Sequence, residues 1–169
     1  MSYLINPYRY SLPLQTFSND PNATGTMNFS YDNFKGEKVT TSSSVLLGIK
    51  LTDVQFYMYR SSTENADATV SCIQAETDGT LVHTFWSKSY NSFPESAELT
   101  DEDSTPSTVA LTTDHVIGTL FTTTSATTGT LYHRYDNTDA FDGSDSTYAG
   151  NYSGSTSVFD RAFVMKGYS

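Results

Sequence analysis

Nowhere in this 169-residue chain do apolar residues recur at helical spacing over as many as a dozen residues. Residues that favour strands dominate instead, since the chain contains 26 Thr, 12 Tyr and 10 Phe beside 23 Ser. β-Branched and aromatic side chains favour strands because they pack well on a pleated surface. The sequence therefore predicts an all-β fold, and one domain of this length can bury roughly 70% of its unfolded surface.

The clearest alternation of apolar and polar residues runs from 45 to 58. It predicts a strand with one buried face and a bulge near Thr52-Asp53, where the alternation changes phase. The predicted inward residues are Val45, Leu47, Ile49 and Leu51 before the bulge, and Val54, Phe56 and Met58 after it.

Further short strands follow this one. Asp78-Gly79 is a hairpin turn signal between predicted strands at 68–75 and 81–86. The stretch 91–106 contains two prolines and an acidic run, so it reads as an exposed loop. Short strands with no helix between them indicate an antiparallel sandwich. The remaining predicted strands are 107–112, 116–123, 129–135 and 161–166.

Residues 1–43 differ from the rest of the chain. Strand and helix breakers recur there, at Asn6-Pro7, Leu12-Pro13, Asp20-Pro21 and Lys35-Gly36. The sequence therefore predicts an extended N-terminal arm over 1–43 and a sandwich over 44–169. Aromatic residues in a polar arm suggest that it packs on a neighbouring subunit. The assembly residues that we predict in the arm are Tyr3, Tyr8, Tyr10 and Phe17.

Four short motifs carry a resemblance to a known class of domain. They are Gly-Ile-Lys-Leu at 48–51, Asp78-Gly79, Tyr-Ala-Gly-Asn-Tyr at 148–152 and Phe-Asp-Arg-Ala-Phe-Val at 159–164. With them, the stretch from Val45 onward resembles jelly-roll domains of phage, archaeal and bacterial surface proteins, some of which are related in fold to carbohydrate-binding modules. The opening segment at 3–8 also resembles the starts of small phage structural proteins. The resemblance implies a jelly-roll topology and supplies no catalytic residues.

The charge of the chain limits its partners. Nine Lys and Arg face 19 Asp and Glu, which gives a net charge of −10. Such a surface repels phosphates, so we expect no nucleic-acid binding. The longest apolar stretch, Val45–Ile49, is far shorter than the roughly 20 residues that a membrane span needs.

No catalytic constellation stands out. A nucleophilic serine needs a base that is itself oriented, and no Gly-x-Ser-x-Gly turn is present. His83, His115 and His133 all lie on or beside predicted strands. We therefore predict that the protein is not an enzyme and needs no cofactor.

One acidic loop is a candidate calcium site. Asp136, Asp139, Asp142 and Asp145 recur every three residues near Gly143. Calcium prefers six to eight oxygen ligands, which such a loop can supply. The spacing lacks the pattern of an EF-hand, so a solvated loop is the alternative.

Exposed aromatic rings could stack on sugars. The candidate glycan-binding residues are Trp86, Tyr57, Tyr59, Tyr148 and Tyr152. The alternative is that these rings fill the core or a subunit contact.

The leading hypothesis combines these features. The chain begins Met1-Ser2 and shows no secretory signal peptide, yet its composition suits an extracellular surface. We predict a virion structural protein, from the capsid surface, a decoration layer or the tail, which assembles with itself and with other virion proteins. The alternatives are a carbohydrate-binding module or adhesin, and a subunit of an extracellular filament or surface layer.

Overall fold

The chain forms two antiparallel β-sheets that pack face to face as a sandwich. The computed structural model describes residues 12–19, 25–29, 33–40, 42–63, 66–100, 103–122, 129–136, 144–147, 155–156 and 160–169. Within these ranges the helical residues are limited to one short 3-10 helix, Tyr90–Ser92. The strands are β1 (Gln15–Ser18), β2 (Gly25–Phe29), β3 (Asn33–Val39), β4 (Lys50–Arg60), β5 (Thr69–Glu76), β6 (Leu81–Ser89), β7 (Glu98–Leu99), β8 (His115–Thr122), β9 (Leu131–Asp136), β10 (Ser144–Thr147), β11 (Ser155–Thr156), β12 (Asp160–Arg161) and β13 (Phe163–Tyr168).

The seven-stranded sheet has the order β1-β13-β4-β9-β12, with β2 paired to β9 and β7 paired to β4. The six-stranded sheet has the order β11-β10-β3-β8-β5-β6. These sheets confirm the predicted all-β sandwich. The jelly-roll topology stays a prediction.

The bulge in β4 is confirmed. Lys166 of β13 pairs with Asp53 and the next residue, Gly167, pairs with Leu51, so Thr52 is the extra residue. The bulge keeps both Leu51 and Val54 in the core although they are three positions apart. A hydrogen bond from Thr52 Oγ1 to the Lys166 carbonyl, at 3.2 Å, holds the bulge to β13.

The last strand, β13, lies between β1 and β4 in the seven-stranded sheet. β4 pairs with β13 up to Phe56 and with β9 from Met58 onward. Ala162 lies at the junction, where its carbonyl accepts from the Tyr57 N–H at 3.0 Å and its N–H donates to the Arg134 carbonyl at 3.0 Å. Ala162, the residue before β13, therefore links β4 and β9 through backbone hydrogen bonds.

The predicted hairpin at Asp78-Gly79 is confirmed by the pairing of β5 with β6. Gly79 has a φ of +92°, a left-handed conformation that glycine adopts without strain. The predicted strands at 116–123, 129–135 and 161–166 correspond to β8, β9 and β12–β13. The strand predicted at 107–112 is wrong, because these residues form a loop.

The predicted start of the strand at Val45 is also wrong. Residues 45–48 form a turn, and β4 begins only at Lys50. Val45 is 57% exposed and Leu47 36% exposed, whereas Leu46 between them is fully buried. Within the turn, the buried side chain is therefore that of Leu46 and not those of its two neighbours, which is the opposite of the predicted alternation.

The N-terminal region is not wholly an arm, because β1, β2 and β3 belong to the two sheets. Phe17 on β1 pairs with Met165 and is buried in the core, so it does not face a neighbouring subunit. Tyr3, Tyr8 and Tyr10 lie outside the described residues.

Gly36 does not break a strand, although Lys35-Gly36 was predicted to do so. It pairs with Gly118 of β8, and a Cβ at Gly36 would lie 2.0 Å from the Ile117 carbonyl oxygen. The two glycines thus permit a close approach of β3 and β8 that no other residue would allow.

Candidate functional site

One end of the sandwich collects the exposed apolar side chains. It is the end at which β4 begins and its antiparallel partner β13 ends. β1, antiparallel to β13, also begins there. In the other sheet, β5 ends and β6 and β8 begin at this end. All seven large hydrophobic residues that are exposed in the described ranges lie at these strand ends or in the turns and loops that adjoin them. We call this set the apolar end: Leu12, Leu14, Val45, Leu47, Leu81, Val109 and Tyr168.

Backbone hydrogen bonds hold the segments of the apolar end together. The Gly48 N–H donates to the Leu111 carbonyl, and the Leu111 N–H donates to the Ile49 carbonyl, both at 2.9 Å. The Ser107 N–H donates to the Leu51 carbonyl at 2.8 Å. The loop between β7 and β8, which contains Val109, is therefore fixed against the start of β4.

A network of buried hydrogen bonds lies beneath the apolar end. Gln74 is fully buried, and its Oε1 accepts from Ser107 Oγ at 2.9 Å. Its Nε2 lies 3.2 Å from His115 Nδ1, which also accepts from the Thr112 N–H at 3.1 Å. Because two donors face Nδ1, the neutral ring carries its proton on Nε2. The network fixes the loop that carries Val109 to the strands of the six-stranded sheet.

Acidic residues flank the apolar end. Glu76, Asp78 and Asp114 are exposed where β5 ends and β8 begins. The backbone N–H of Thr80 donates to Asp78 Oδ1 at 2.8 Å, and this bond lowers the pKa of the Asp78 carboxyl, followed by the side-chain hydrogen bond from Thr80. Asp78 therefore stays charged well below neutral pH. Lys50 is an exposed basic residue at the same end.

Sequence reasoning missed this surface because Val45 and Leu47 were assigned to a buried strand face. The signal that could have found it is the glycine at 48. Gly48 has a φ of +80°, and a glycine in the left-handed region marks a turn, not a strand interior. Apolar residues directly before such a turn can be exposed on one side of it.

The structure does not bring the predicted sugar-binding rings together. Trp86 is buried in the core, where its Nε1 donates to the Val54 carbonyl at 2.8 Å. Its ring is thereby removed from the candidate glycan site. Tyr148 and Tyr152 lie outside the described residues.

Tyr57 and Tyr59 do share the outer face of β4, as predicted, and both are half-buried. The Tyr59 ring stacks on Tyr132 with 4.6 Å between centroids, and the Arg134 guanidinium lies 6.0 Å from the Tyr59 centroid. A ring in such a stack has little free face to offer a sugar. Tyr57 pairs with Leu99 of β7.

A cavity of about 250 Å³ lies near the opposite end of the sandwich. The residues that line it are Lys88, Ser92, Pro94, Glu98, Leu99 and Thr100. The Lys88 ammonium is placed 4.6 Å from the centroid of the Phe93 ring. The cavity thus combines a donor, an acceptor and a hydroxyl beside the apolar side chains of Pro94 and Leu99.

Polar side chains also lie between the sheets. Thr119 Oγ1 of β8 is 2.7 Å from His133 Nε2 of β9, and both residues are fully buried. Lys35 and Glu37 of β3 pair with Thr119 and Ile117, so they share the same inward face and are buried as well. This hydroxyl–imidazole pair joins the two sheets in the interior of the sandwich.

The predicted calcium loop falls mostly outside the described residues, as do Asp139 and Asp142. Asp136 ends β9, and Asp145 lies in β10, where it pairs with Lys38. Elsewhere in the described ranges, no three His, Cys, Asp or Glu side chains gather as metal ligands would. The calcium site stays a prediction.

None of the helical residues in the described ranges forms a segment long and apolar enough to cross a membrane. Comparison with known proteins gives no match to a family model, to a curated protein or to a solved structure.

Proposed function

We propose that this protein is a virion structural protein with a jelly-roll sandwich, and that it functions by assembling with further copies of itself. The observation that carries the proposal is the collection of all seven exposed large hydrophobic residues of the described ranges at one end. Large hydrophobic side chains that are exposed at one place, and not scattered singly over the surface, indicate an interaction site.

The physical chemistry of the surface supports association of a particular kind. Burial of apolar surface is favourable by about 25 cal/mol per Å². The net charge of −10 opposes association of identical subunits, and salt screens this repulsion. We therefore expect assembly to be stronger at high ionic strength, which is the condition that favours apolar contacts over charged ones.

Light scattering of the full chain tests the proposal. We expect a regular oligomer whose mass increases with salt. Leu47→Asp should reduce the oligomer to monomers, because it places a charge in the apolar end. Thr63→Asp adds the same charge to an exposed residue at the opposite end and should leave the oligomer intact. A wild-type chain that stays monomeric at high protein and salt concentration would contradict the proposal.

Glycan binding is a second candidate, and the cavity near Lys88 and Glu98 is the observation that favours it. A sugar ring needs donors, acceptors and an apolar contact, and residues of all three kinds line this cavity. Calorimetric titration with neutral monosaccharides should give binding that Glu98→Ala removes and Lys50→Ala preserves. Equal binding by both variants, or none by the wild type, would dismiss this candidate.

A further inference from the structure

We infer that residues 1–11 of one copy bind the apolar end of a neighbouring copy. The inference rests on the proposed function and names the occupant of the surface that the function requires. Three observations about the described residues and the sequence carry it.

The first observation is where the chain enters the fold. β1 begins at Gln15, and the two residues Leu12 and Leu14 before it belong to the apolar end. Residues 1–11 are therefore attached directly to this surface. Pro13 favours an extended backbone at Leu12, so the chain continues the direction of β1 at this point.

The second observation is the composition of the segment. Five of its eleven residues are Tyr, Leu or Ile: Tyr3, Leu4, Ile5, Tyr8 and Tyr10. Tyrosine rings bring high contact area at a small cost in conformational entropy, and apolar side chains add to the buried area, which suits a binding segment. The apolar end offers side chains of the same kind.

The third observation is charge. The single charged side chain of residues 1–11 is that of Arg9. Glu76, Asp78 and Asp114 are exposed beside the apolar end, and the pKa of Asp78 is lowered by its hydrogen bonds to Thr80. A basic residue in an apolar segment thus meets an acidic border, and this complementarity reduces the repulsion between two acidic subunits.

The geometry allows the segment to reach another subunit. Eleven extended residues span roughly 35 Å at about 3.3 Å per residue. This length is comparable to the diameter of a small domain. Because the donor and the acceptor surfaces differ, each subunit can donate one segment and accept another, which produces a ring or an extended array.

The experiment combines a full-length variant with a peptide. The variant carries Tyr3→Ser, Tyr8→Ser and Tyr10→Ser, and the peptide is a fluorescent copy of residues 1–11. We expect the variant to be monomeric in light scattering and to bind the peptide in an anisotropy titration. Adding Leu47→Asp to the variant should weaken peptide binding at least tenfold, and adding Thr63→Asp should not. Circular dichroism and thermal unfolding verify that each variant is folded.

Other outcomes would overturn the inference and separate it from the proposed function. If the Tyr variant assembles like the wild type while Leu47→Asp does not, the apolar end binds something other than residues 1–11, and the proposed function stands. If the wild type is monomeric but the Tyr variant binds the peptide, the segment covers its own subunit and the inference is wrong. A monomeric wild type with no peptide binding overturns both.

Discussion

The two ends of the sandwich are closed in different ways. At the end opposite the apolar end, Tyr90 is fully buried, and its hydroxyl lies 3.0 Å from Ser61 Oγ and 3.1 Å from the Thr130 carbonyl. The Thr130 N–H donates to Ser61 Oγ at 3.1 Å, so these three residues form a closed set of hydrogen bonds. We call this the tyrosine end.

Arg60 completes the tyrosine end. Its side chain donates to the carbonyls of Phe93 and Ser61, at 3.0 and 2.9 Å, and forms an ion pair with Glu95 at 3.1 Å. Among the described residues, no comparable set of hydrogen bonds covers the apolar end, where buried polar groups lie beneath exposed apolar side chains. The comparison teaches that one end is closed by hydrogen bonds within the subunit, while the other exposes the apolar side chains on which the proposed assembly depends.

The largest expected effect tests the tyrosine end. Tyr90→Ala should lower the free energy of unfolding by about 3–5 kcal/mol, because it leaves a cavity and removes the partner of Ser61 and Thr130. Tyr90→Phe, which keeps the ring, should cost only about 1 kcal/mol. Urea unfolding of both variants provides the measurement. A small loss for Tyr90→Ala would mean that the end relaxes and that the ring does not stabilise it.

A pair of neighbouring leucines sharpens the comparison at the other end. Leu46→Ala should cost about 2–5 kcal/mol because Leu46 is fully buried in the main core. Leu47→Ala should change the stability of the dilute monomer by less than about 0.5 kcal/mol, since Leu47 is exposed. The two losses are compared by urea unfolding at low protein concentration. Equal losses would place both side chains in the core and contradict the turn at 45–48.

The network below the apolar end should give an intermediate effect. Gln74→Ala removes the buried hydrogen bonds of the Gln74 amide to the Ser107 hydroxyl and to His115 Nδ1, and should cost about 1–3 kcal/mol. Gln55→Ala is the matched control, since Gln55 makes one hydrogen bond to the Thr100 carbonyl from a half-buried position. If the control costs as much in thermal unfolding, burial of the network is not what matters.

The smallest effect concerns pH. The pKa of Asp78 is lowered in the folded state by the backbone and then the side chain of Thr80, so its stabilising effect is present above the ordinary Asp pKa and lost as pH falls through the folded value. Asp78→Asn keeps an oxygen that accepts from the Thr80 N–H but cannot titrate. We expect the melting temperatures of the wild type and the variant to converge as the pH falls below roughly the unperturbed pKa of about 4. Parallel curves would show that this carboxylate has no part in acid stability.

Alternation along the chain was enough to predict most of β4. The phase change at Thr52 identified the bulge, and Val54, Phe56 and Met58 are buried as expected. Asp78-Gly79 identified the hairpin because a glycine with positive φ has few other uses between two strands. Local patterns succeeded where the partner strand lies close in sequence or where one face is purely apolar.

The same reasoning failed where an inward position is polar or where a turn contains apolar residues. β3 places Lys35 and Glu37 on the inward face, so its sequence does not alternate, and its pairing with β8 depends on distant residues. The apolar end was missed for the opposite reason, because Val45 and Leu47 resemble core residues. Trp86 was assigned to a sugar site because a sequence shows that a ring is present but not which side of the strand it occupies.

The last strand of the fold, β13, pairs with the first described strand, β1. Gln15 beside β1 and Ser169 beyond β13 are hydrogen-bonded at 3.3 Å although they lie 154 positions apart. The part of the apolar end that contains Leu14 and Tyr168 can therefore form only after β13 has been synthesised. Contacts this distant in sequence form late and slowly. We expect chains truncated before Ala162 to be sensitive to protease, because β1 and β4 then lack the strand that lies between them.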